Sequence, residues 1–497
     1  MGNIIGIDVG TTGCKAILFD IEGRNLYKSY REYNLTFLKN GYIELDTNLV
    51  ISHIKNCIKE ITSNSDSNVD AICFSVFGGS LTPISKSNQL ISNTIIAFDP
   101  RGTEEVKLLK SRISLSEYYG ITGLGIINSN PLVKMLWFLR NYKEEKVGKF
   151  VSFEEYIYLK FGIMPKISYS LASNLGAFDI NKKMWSKEVL DLINIGIDHF
   201  FEPVASGRII GEIPGKIRKE LGLKGNTKIV SGGFDQSCAS LGAGAIGEGI
   251  VANGMGTVES FISILNDIST KNDFMNSSFI QSCHVVNNKV ILLSFVYSAG
   301  SILKWYRNVL GYEDLIKSKE KSMNFYEYIL SNMSYSPGDL LLLPHFVGSG
   351  TPAMDPSSKG AIIGLNLSIN RKDVVRAIVE GIIFEVKLNM EIMEKNGVNI
   401  REIRAIGGGS RSDRWLQLKA DILEKSVYSL NIEESGCISG LILAGTALSI
   451  FKNMDDAVNS LVRKKKEFRP DPKNNYTDIY REKYLKYKKL YPLLKEL

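Results

Sequence analysis

The stretch Asn3-Ile-Ile-Gly-Ile-Asp-Val-Gly-Thr-Thr12 opens the chain and decides how the rest of it is interpreted. Its first part, from Ile4 to Asp8, is apolar except for the final carboxylate, a pattern that predicts a short buried strand. Gly10 follows at a point where a turn requires an unusual backbone conformation or a close approach to a ligand. A second strand, from Lys15 to Asp20, then predicts a β-hairpin.

The tip of this hairpin carries groups that can bind phosphate. Its backbone N–H groups form a nest for anions, and the hydroxyls of Thr11 and Thr12 add further donors. Asp8 can hold Mg²⁺ through water, and Lys15 adds a positive charge. For this stretch alone, an ordinary Gly-Thr hairpin without a ligand is the alternative.

The same arrangement occurs again in the middle of the chain. A strand over 249–253 ends in Gly254-Met255-Gly256-Thr257 and is followed by a strand over 258–264. Two such hairpins, each opening one half of the chain, predict two similar α/β domains with a phosphate chain held between their tips. We expect the domains at residues 1–247 and 248–497.

The composition is that of a globular protein with more than one domain. The chain has 497 residues, of which 44% are hydrophobic and 23% charged, and its net charge is +7. This charge permits anionic ligands but does not indicate nucleic acid, and the apolar runs are too short to span a membrane. No signal peptide pattern opens the chain, so a cytoplasmic location is expected. The cysteines show neither disulfide nor zinc spacing.

Two loops in the first half follow predicted strands and are candidates for substrate contact. The strand over 71–76 ends in Phe77-Gly78-Gly79-Ser80. The next loop contains Asp99 and Arg101. Ligands of layered α/β folds tend to lie beyond the carboxyl ends of strands, which favours both loops. Because Asp99 precedes a proline, a turn-initiating role is the alternative.

A second carboxylate follows a strand predicted over 227–231. Asp235, in Gly232-Gly233-Phe234-Asp235-Gln236, repeats the order of strand, glycine and carboxylate, and it leads into a helix. A carboxylate in this position can take the proton of a substrate hydroxyl. A helix N-cap is the alternative interpretation.

Further patterns organise the second half. Gly407-Gly-Gly-Ser410 lies between a strand and a helix, where a flat ligand can lie against the backbone near the helix N-terminus. Gly242–Gly247 has the spacing GxGxxG but follows a helix and precedes a strand, so it predicts a turn. Residues 435–451 predict a small-residue helix suited to close packing, and the tyrosines between 476 and 487 predict packing contacts.

These motifs resemble those of the FGGY carbohydrate kinases, within the actin, Hsp70 and sugar-kinase fold superfamily. Residues 8–12 and 254–257 are similar to the two phosphate motifs of that family, and residues 129–138 and 360–380 fit its two signatures. Gly407–Ser410, with Trp415 and Gln417, is similar to the adenosine motif. The similarity covers nearly the whole chain.

The resemblance implies two actin-like (ribonuclease H-like) domains with an ATP cleft between them, in which ATP and Mg²⁺ serve to phosphorylate a sugar or polyol. It implies that Asp235 is the catalytic base and that Asp8 and Asp235 are the carboxylates near Mg²⁺. The residues it implies for the nucleotide are Gly10, Thr11, Thr12, Lys15, Gly256, Thr257, Gly408, Gly409 and Ser410. Those it implies for the substrate are Phe77, Gly78, Gly79, Asp99, Arg101 and Asp235.

The substrate and the class leave alternatives open. The layout is most similar to that of xylulose kinases, so a ketopentose such as xylulose is the default, with another polyol, ketose or deoxysugar as alternatives. Xylulose kinases carry Gln-Met-His-Gly where this chain has Phe77 to Ser80, which removes polar contacts to sugar hydroxyls. A nucleotide-switched actin- or Hsp70-like protein and an inactive sugar sensor are the other classes. A homodimer is expected, without nucleic acid or membrane partners.

Overall fold

The first sheet is built on the opening hairpin. We describe a computed structural model, which defines residues 2–142, 147–471 and 476–496. The strands of this sheet are β1 Asn3–Val9, β2 Gly13–Phe19, β3 Asn25–Glu32, β4 Val69–Val76, β5 Ile209–Glu212 and β6 Lys228–Phe234. They lie in the order β3, β2, β1, β4, β6, β5, and the pairs β1/β4 and β4/β6 are parallel while the other three are antiparallel.

The second sheet repeats this topology. Its strands are β7 Gly249–Met255, β8 Glu259–Leu265, β9 Ile280–Cys283, β10 Val290–Val296, β11 Ile400–Ile406, β12 Ser426–Leu430 and β13 Lys464–Phe468. They lie in the order β9, β10, β8, β7, β11, β12, β13. From β10 onward, the pairs are antiparallel, antiparallel, parallel, parallel and antiparallel, as in the first sheet. The duplication predicted from the two hairpins is therefore confirmed.

Helices cover the sheets and connect their strands. They are α1 Thr47–Ser63, α2 Thr103–Arg112, α3 Leu115–Thr122, α4 Pro131–Asn141, α5 Phe153–Lys160, α6 Tyr169–Ala172, α7 Lys187–Asp191, α8 Gly215–Leu221, α9 Asp235–Gly242, α10 Asn272–Asn276, α11 Gly300–Val309, α12 Tyr312–Glu320, α13 Phe325–Asn332, α14 Arg371–Lys395, α15 Asp413–Leu423, α16 Ser435–Ala447, α17 Met454–Leu461, α18 Thr477–Tyr487 and α19 Leu490–Leu494. None of the helices in these described ranges is long and apolar enough to cross a membrane.

Short strands form small sheets away from the two main ones. One has three strands, Thr36–Phe37, Ile43–Leu45 and Thr94–Ile95, and the others pair Thr82–Ile84 with Lys149–Val151, Ile167–Ser168 with Pro203–Val204, Phe178–Asp179 with Met184–Trp185, and Leu341–Leu343 with Ala361–Ile363. Several of these strands lie between α4 and β5, within the long segment that connects β4 to β5 in the first half of the chain.

Helix α16 comes late in the chain but packs on the first sheet, against β1 and β4. Its small residues make this possible, because a Cβ atom on Gly440 would lie only 2.9 Å from the Cα of Gly6. A Cβ on Gly6 would in turn lie 2.0 Å from the carbonyl oxygen of Cys437. The close packing predicted for this helix is confirmed, while the boundary between residues 247 and 248 stays a prediction.

The C-terminal tyrosines are packing residues, as predicted. Tyr480, Tyr484 and Tyr487 are buried on α18. The hydroxyl of Tyr487 donates to Glu385 on α14. Residues 242–247 form the predicted turn between α9 and β7, with Gly244 in the left-handed region at φ +72°.

Candidate active site

Parallel pairing brings two carboxylates to one edge of the first sheet. Asp8 in β1 pairs in register with Ser75 in β4, and Ser75 pairs with Gly233 in β6. Asp235 follows Gly233 by two positions and begins α9. The carboxyl ends of these parallel strands therefore place Asp8 and Asp235 two strands apart, where ligands of such folds bind.

Asp8 is half-buried between a neighbouring strand and a helix. Ser75 Oγ donates to Asp8 Oδ1 over 2.6 Å. The first turn of α16 lies against the same carboxylate, since a Cβ on Gly436 would be 2.5 Å from Asp8 Oδ1. Burial raises the pKa of Asp8, and the bond from Ser75 and the charge of Lys15 act in the opposite direction. A helix N-terminus favours an anion at this position.

Asp235 has a pKa suited to a base near neutral pH. Burial, and then the negative charge of Asp8, raise its pKa to about 8. The backbone N–H of Gln236 donates to Asp235 Oδ1 over 2.7 Å and opposes the shift. A pKa of about 8 lets this carboxyl group exchange a proton near neutral pH, and its ionised form can accept the proton of a hydroxyl.

The first hairpin tip is a tight turn with free hydroxyls. The N–H of Gly10 donates to the carbonyl oxygen of Gly13 over 2.9 Å, and Tyr33 donates its hydroxyl to the carbonyl oxygen of Gly10. Thr12 is exposed and Thr11 is half-buried. Within the described ranges, no hydrogen bond engages either threonine hydroxyl, so both can serve a ligand.

Lys15 is held by an acidic residue from the far end of the chain. Its ammonium group binds Glu434 Oε2 over 2.6 Å, and Lys28 binds the other oxygen of Glu434 over 2.7 Å. Glu434 immediately precedes α16. The predicted contact of Lys15 with phosphate therefore competes with this ion pair and stays a prediction.

The second hairpin tip borders a cavity of about 950 Å³. Its walls come from the tip itself, from the start of α11, from α13 and from the glycine loop before α15. They include four of the residues predicted to bind nucleotide, which are Gly256, Thr257, Gly408 and Gly409. Ser410 lies in the same loop and donates its hydroxyl to the carbonyl oxygen of Gly407 over 2.7 Å. The cavity joins the hairpin tip predicted to bind phosphate to the loop predicted to bind adenosine.

The loop after β4 is closely packed. Phe77 is only 4% exposed and its ring centroid lies 5.2 Å from that of Phe153. Gly78 leaves room for the ring of Phe234, whose nearest atom would be 2.5 Å from a Cβ on Gly78. Gly79 has φ +67°, a left-handed conformation that favours glycine. These residues adjoin the segment that carries Asp235, but a substrate contact by Phe77 stays a prediction.

Asp99 and Arg101 form an ion pair with each other. Arg101 donates from Nε to Asp99 Oδ1 over 2.6 Å and from Nη2 to Glu44 Oε1 over 2.9 Å. Its guanidinium carbon lies 4.4 Å from the ring centroid of Tyr42 and 4.8 Å from that of Trp137. Both charged side chains are buried. Their predicted role as substrate contacts stays a prediction, because the pair also has a structural function in holding this loop.

Sequence reasoning did not single out Lys134 or Glu434 as site residues. Lys134 is fully buried on α4 and donates to the carbonyl oxygens of Ile96, Ala97 and Asp99. Burial lowers its pKa to about 7. Its position within the signature over 129–138 was a signal that it holds the substrate loop. For Glu434, the only signal was its position before a small-residue helix.

Comparison with known proteins decides the family. The family models for the N-terminal and C-terminal domains of the FGGY family of carbohydrate kinases match residues 3–242 and 264–448, in that order. The chain belongs to the FGGY family. As a member of this family it is a carbohydrate kinase, and FGGY kinases use ATP as a substrate.

Several FGGY kinases are similar along their whole length. The xylulose kinase of Staphylococcus xylosus is 27% identical over 496 residues, covering 99% of this chain and all of the relative. The gluconokinase of Bacillus subtilis (strain 168) is 26% identical, covering 93% of this chain and 91% of the relative. A ligand-bound xylulose kinase from Lactobacillus acidophilus superposes with a TM-score of 0.86 at 25% identity, covering 100% of this chain and 97% of that one. The predicted fold of two actin-like domains is confirmed.

Proposed function

We propose that this FGGY kinase transfers the γ-phosphoryl group of ATP to a hydroxyl of a neutral sugar, with a ketopentose such as xylulose as the default substrate. The observation that carries the proposal is Asp235, a half-buried carboxylate at the carboxyl end of β6 whose pKa is raised to about 8. The carboxylate takes the hydroxyl proton while the sugar oxygen attacks the γ-phosphorus, and ADP leaves. Full-length similarity to xylulose kinases supports the default substrate.

The residues at the sheet edge fit Mg²⁺. Asp8 and Asp235 are oxygen donors, and their mutual repulsion is one cause of the raised pKa of Asp235. Among the residues that the structure defines, no group of three His, Cys, Asp or Glu side chains could hold a metal ion by itself. This fits Mg²⁺, which typically takes one or two carboxylates and completes its shell with water and substrate phosphates. When bound, Mg²⁺ would neutralise charge on the transferred phosphoryl group.

A neutral substrate is favoured over a sugar acid. Gluconokinases are among the similar proteins, and a sugar carboxylate would require a cation in the pocket. Arg101 in one substrate loop and Lys134, which binds the backbone of that loop, are both engaged by protein acceptors. Among the residues that the structure describes, these two loops therefore present no unpaired cation. A cytoplasmic location and a homodimer stay predictions.

The test is ADP release by the purified protein with Mg-ATP against a panel of ketoses, aldoses, polyols, deoxysugars and gluconate. We expect one neutral sugar to give turnover and Asp235→Asn to abolish it while ATP still binds. Turnover by Asp235→Asn at the wild-type rate would remove Asp235 as the base. ATP binding without turnover on any compound would favour the sugar-sensing alternative.

A further inference from the structure

Glu154, in the first turn of α5, is a buried carboxylate. Its side chain is fully buried, and no Lys or Arg in the described ranges forms an ion pair with it. Burial raises its pKa. Because an unpaired buried carboxylate is costly, the groups that donate to it indicate what it does.

Three neutral donors surround this carboxylate. The hydroxyl of Tyr158 and the backbone N–H of Gly232 donate to Glu154 Oε1 over 2.7 and 3.0 Å. The N–H of Ser168 donates to Oε2 over 3.3 Å. Of these donors, Gly232 lies on β6, three residues before Asp235. Glu154 thus links α5 to the strand that carries the proposed base.

The strand β6 is irregular at the point where Glu154 binds it. Val230 pairs with Cys73 and Gly233 pairs with Ser75, so two residues of β6 lie opposite one residue of β4. Such a bulge leaves a residue outside the regular ladder. A Cβ on Gly232 would lie 1.6 Å from the carbonyl oxygen of Phe74, so only glycine fits there. Glu154 supplies the acceptor for the N–H of this glycine.

Ser170 also accepts a hydrogen bond from the backbone of β6, two residues after Gly232. The N–H of Phe234 donates to Ser170 Oγ over 3.1 Å. The adjacent Gly233 has no room for a side chain, because a Cβ there would lie 2.2 Å from the same oxygen. Two of the last three N–H groups of β6 before Asp235 are therefore bound by side chains from outside the sheet.

We propose that Glu154 is a positioning residue for Asp235. This rests on the proposed function, in which Asp235 is the base. By holding the N–H of Gly232, Glu154 fixes the end of β6, and with it the direction in which the Asp235 carboxylate reaches the substrate hydroxyl. A displacement of about 1 Å in a reacting group can lower the rate by about 100-fold.

The test compares Glu154→Ala with Glu154→Gln, using the sugar that the wild type phosphorylates. We expect Glu154→Ala to lower kcat by about 10- to 100-fold, with the KM and the calorimetric Kd for ATP changed by no more than about twofold. The nucleotide cavity is lined by the other half of the chain, so its affinity reports on the fold independently. Glu154→Gln keeps an acceptor for Gly232 and should recover most of kcat.

Glu155→Gln is the matched control. Glu155 is equally buried on the same helix, but its carboxylate accepts from the N–H of Ser152 and not from β6. We expect its kcat to stay within about twofold of the wild type. If Glu154→Ala does not fold, Ser170→Ala replaces it, with an expected kcat loss of about three- to tenfold and unchanged ATP affinity.

Three results would overturn the positioning role. They are wild-type kcat in a folded Glu154→Ala (or in Ser170→Ala where it replaces that variant), an equal loss in Glu155→Gln, or a loss of kcat matched by a loss of ATP affinity. Failure of the proposed function looks different, because the wild type itself would then show no turnover that depends on Asp235.

Discussion

The two hairpins have the same strand topology, but their carboxylates differ in burial and in binding partners. In the first hairpin, Asp8 is half-buried at the sheet edge and accepts from Ser75. In the second hairpin, Glu259 begins β8, is 1% exposed and binds Lys419 from α15. Asn253 Nδ2 also donates to this carboxylate over 2.9 Å. One hairpin presents a charge to the cleft, and the other keeps its charge inside the domain.

This difference in carboxylate environment indicates that the two hairpins have different roles. The first tip adds a carboxylate to the place where the phosphoryl group is proposed to move. The second tip offers backbone groups and Thr257 to the nucleotide cavity, while its buried pair ties the hairpin to α15, the helix after the glycine loop. The ion pair therefore adds a side-chain contact to the pairing of β7 with β11, which already joins the hairpin to the strand before the glycine loop.

The largest effect is expected from breaking the buried pair of the second hairpin. Lys419→Met leaves Glu259 charged, buried and without its cation, and loss of one partner of a buried pair typically costs about 3–5 kcal/mol. We expect the free energy of unfolding, measured by urea titration, to fall by that order. Adding Glu259→Leu removes the second charge and should restore most of the stability. A Lys419→Met protein as stable as the wild type would show that the pair does not lock this hairpin.

A slightly smaller effect is expected at the first hairpin. Asp8→Asn keeps the shape but removes the charge, and we expect kcat to fall by about 100- to 1,000-fold, as for loss of one electrostatic group at a reacting centre. The free energy of unfolding should change little. Asp20→Asn is the matched control, since Asp20 lies at the far end of the same hairpin and binds Arg24. Equal activity of Asp8→Asn and wild type would abolish the contrast between the two tips.

The smallest effect concerns the pH dependence of stability in the absence of metal and nucleotide. Because the pKa of Asp235 is raised to about 8 from 3.8, the native state binds more protons than the unfolded state between these values. This contribution to stability is therefore present at low pH and is lost as the pH rises toward 8. We expect Asp235→Asn to remove about 1 kcal/mol of that decline between pH 5 and 6, where the two states differ by nearly one bound proton, measured by thermal unfolding in EDTA. If stability falls equally with pH in the wild type and in Asp235→Asn, the raised pKa of Asp235 would be contradicted.

Local sequence patterns predicted the residues at the strand ends. The side-chain contacts between distant segments could not be predicted in this way. A strand followed by glycine and a polar residue is a pattern that lies within a few positions of the sequence. This local pattern predicted the two hairpins, Asp8, Asp235 and the glycine loop at 407–410. Glu434 could not be assigned to Lys15 in this way, because the two are 419 positions apart. The same holds for Lys419 and Glu259, which are 160 positions apart.

The region from 129 to 190 shows a different limit. There the sequence predicts mainly helices, which fits α4 and α5 but misses four short strands, Lys149–Val151, Ile167–Ser168, Phe178–Asp179 and Met184–Trp185. Strands of two or three residues carry no periodicity of their own, and their partners lie elsewhere in the chain. The bond from Gly232 to Glu154 also depends on this tertiary arrangement and has no local signal.

The packing of α16 on β1 has a consequence for synthesis of the protein on the ribosome. The strands of the first sheet are complete at Phe234, but the helix that covers the face around Gly6 begins at Ser435. At about 5–20 residues per second, roughly 10–40 s pass between the two during translation. For that time β1 and β4 lack the helix that packs on this face, so we expect the nascent chain to be more prone to aggregation while its second half is being made.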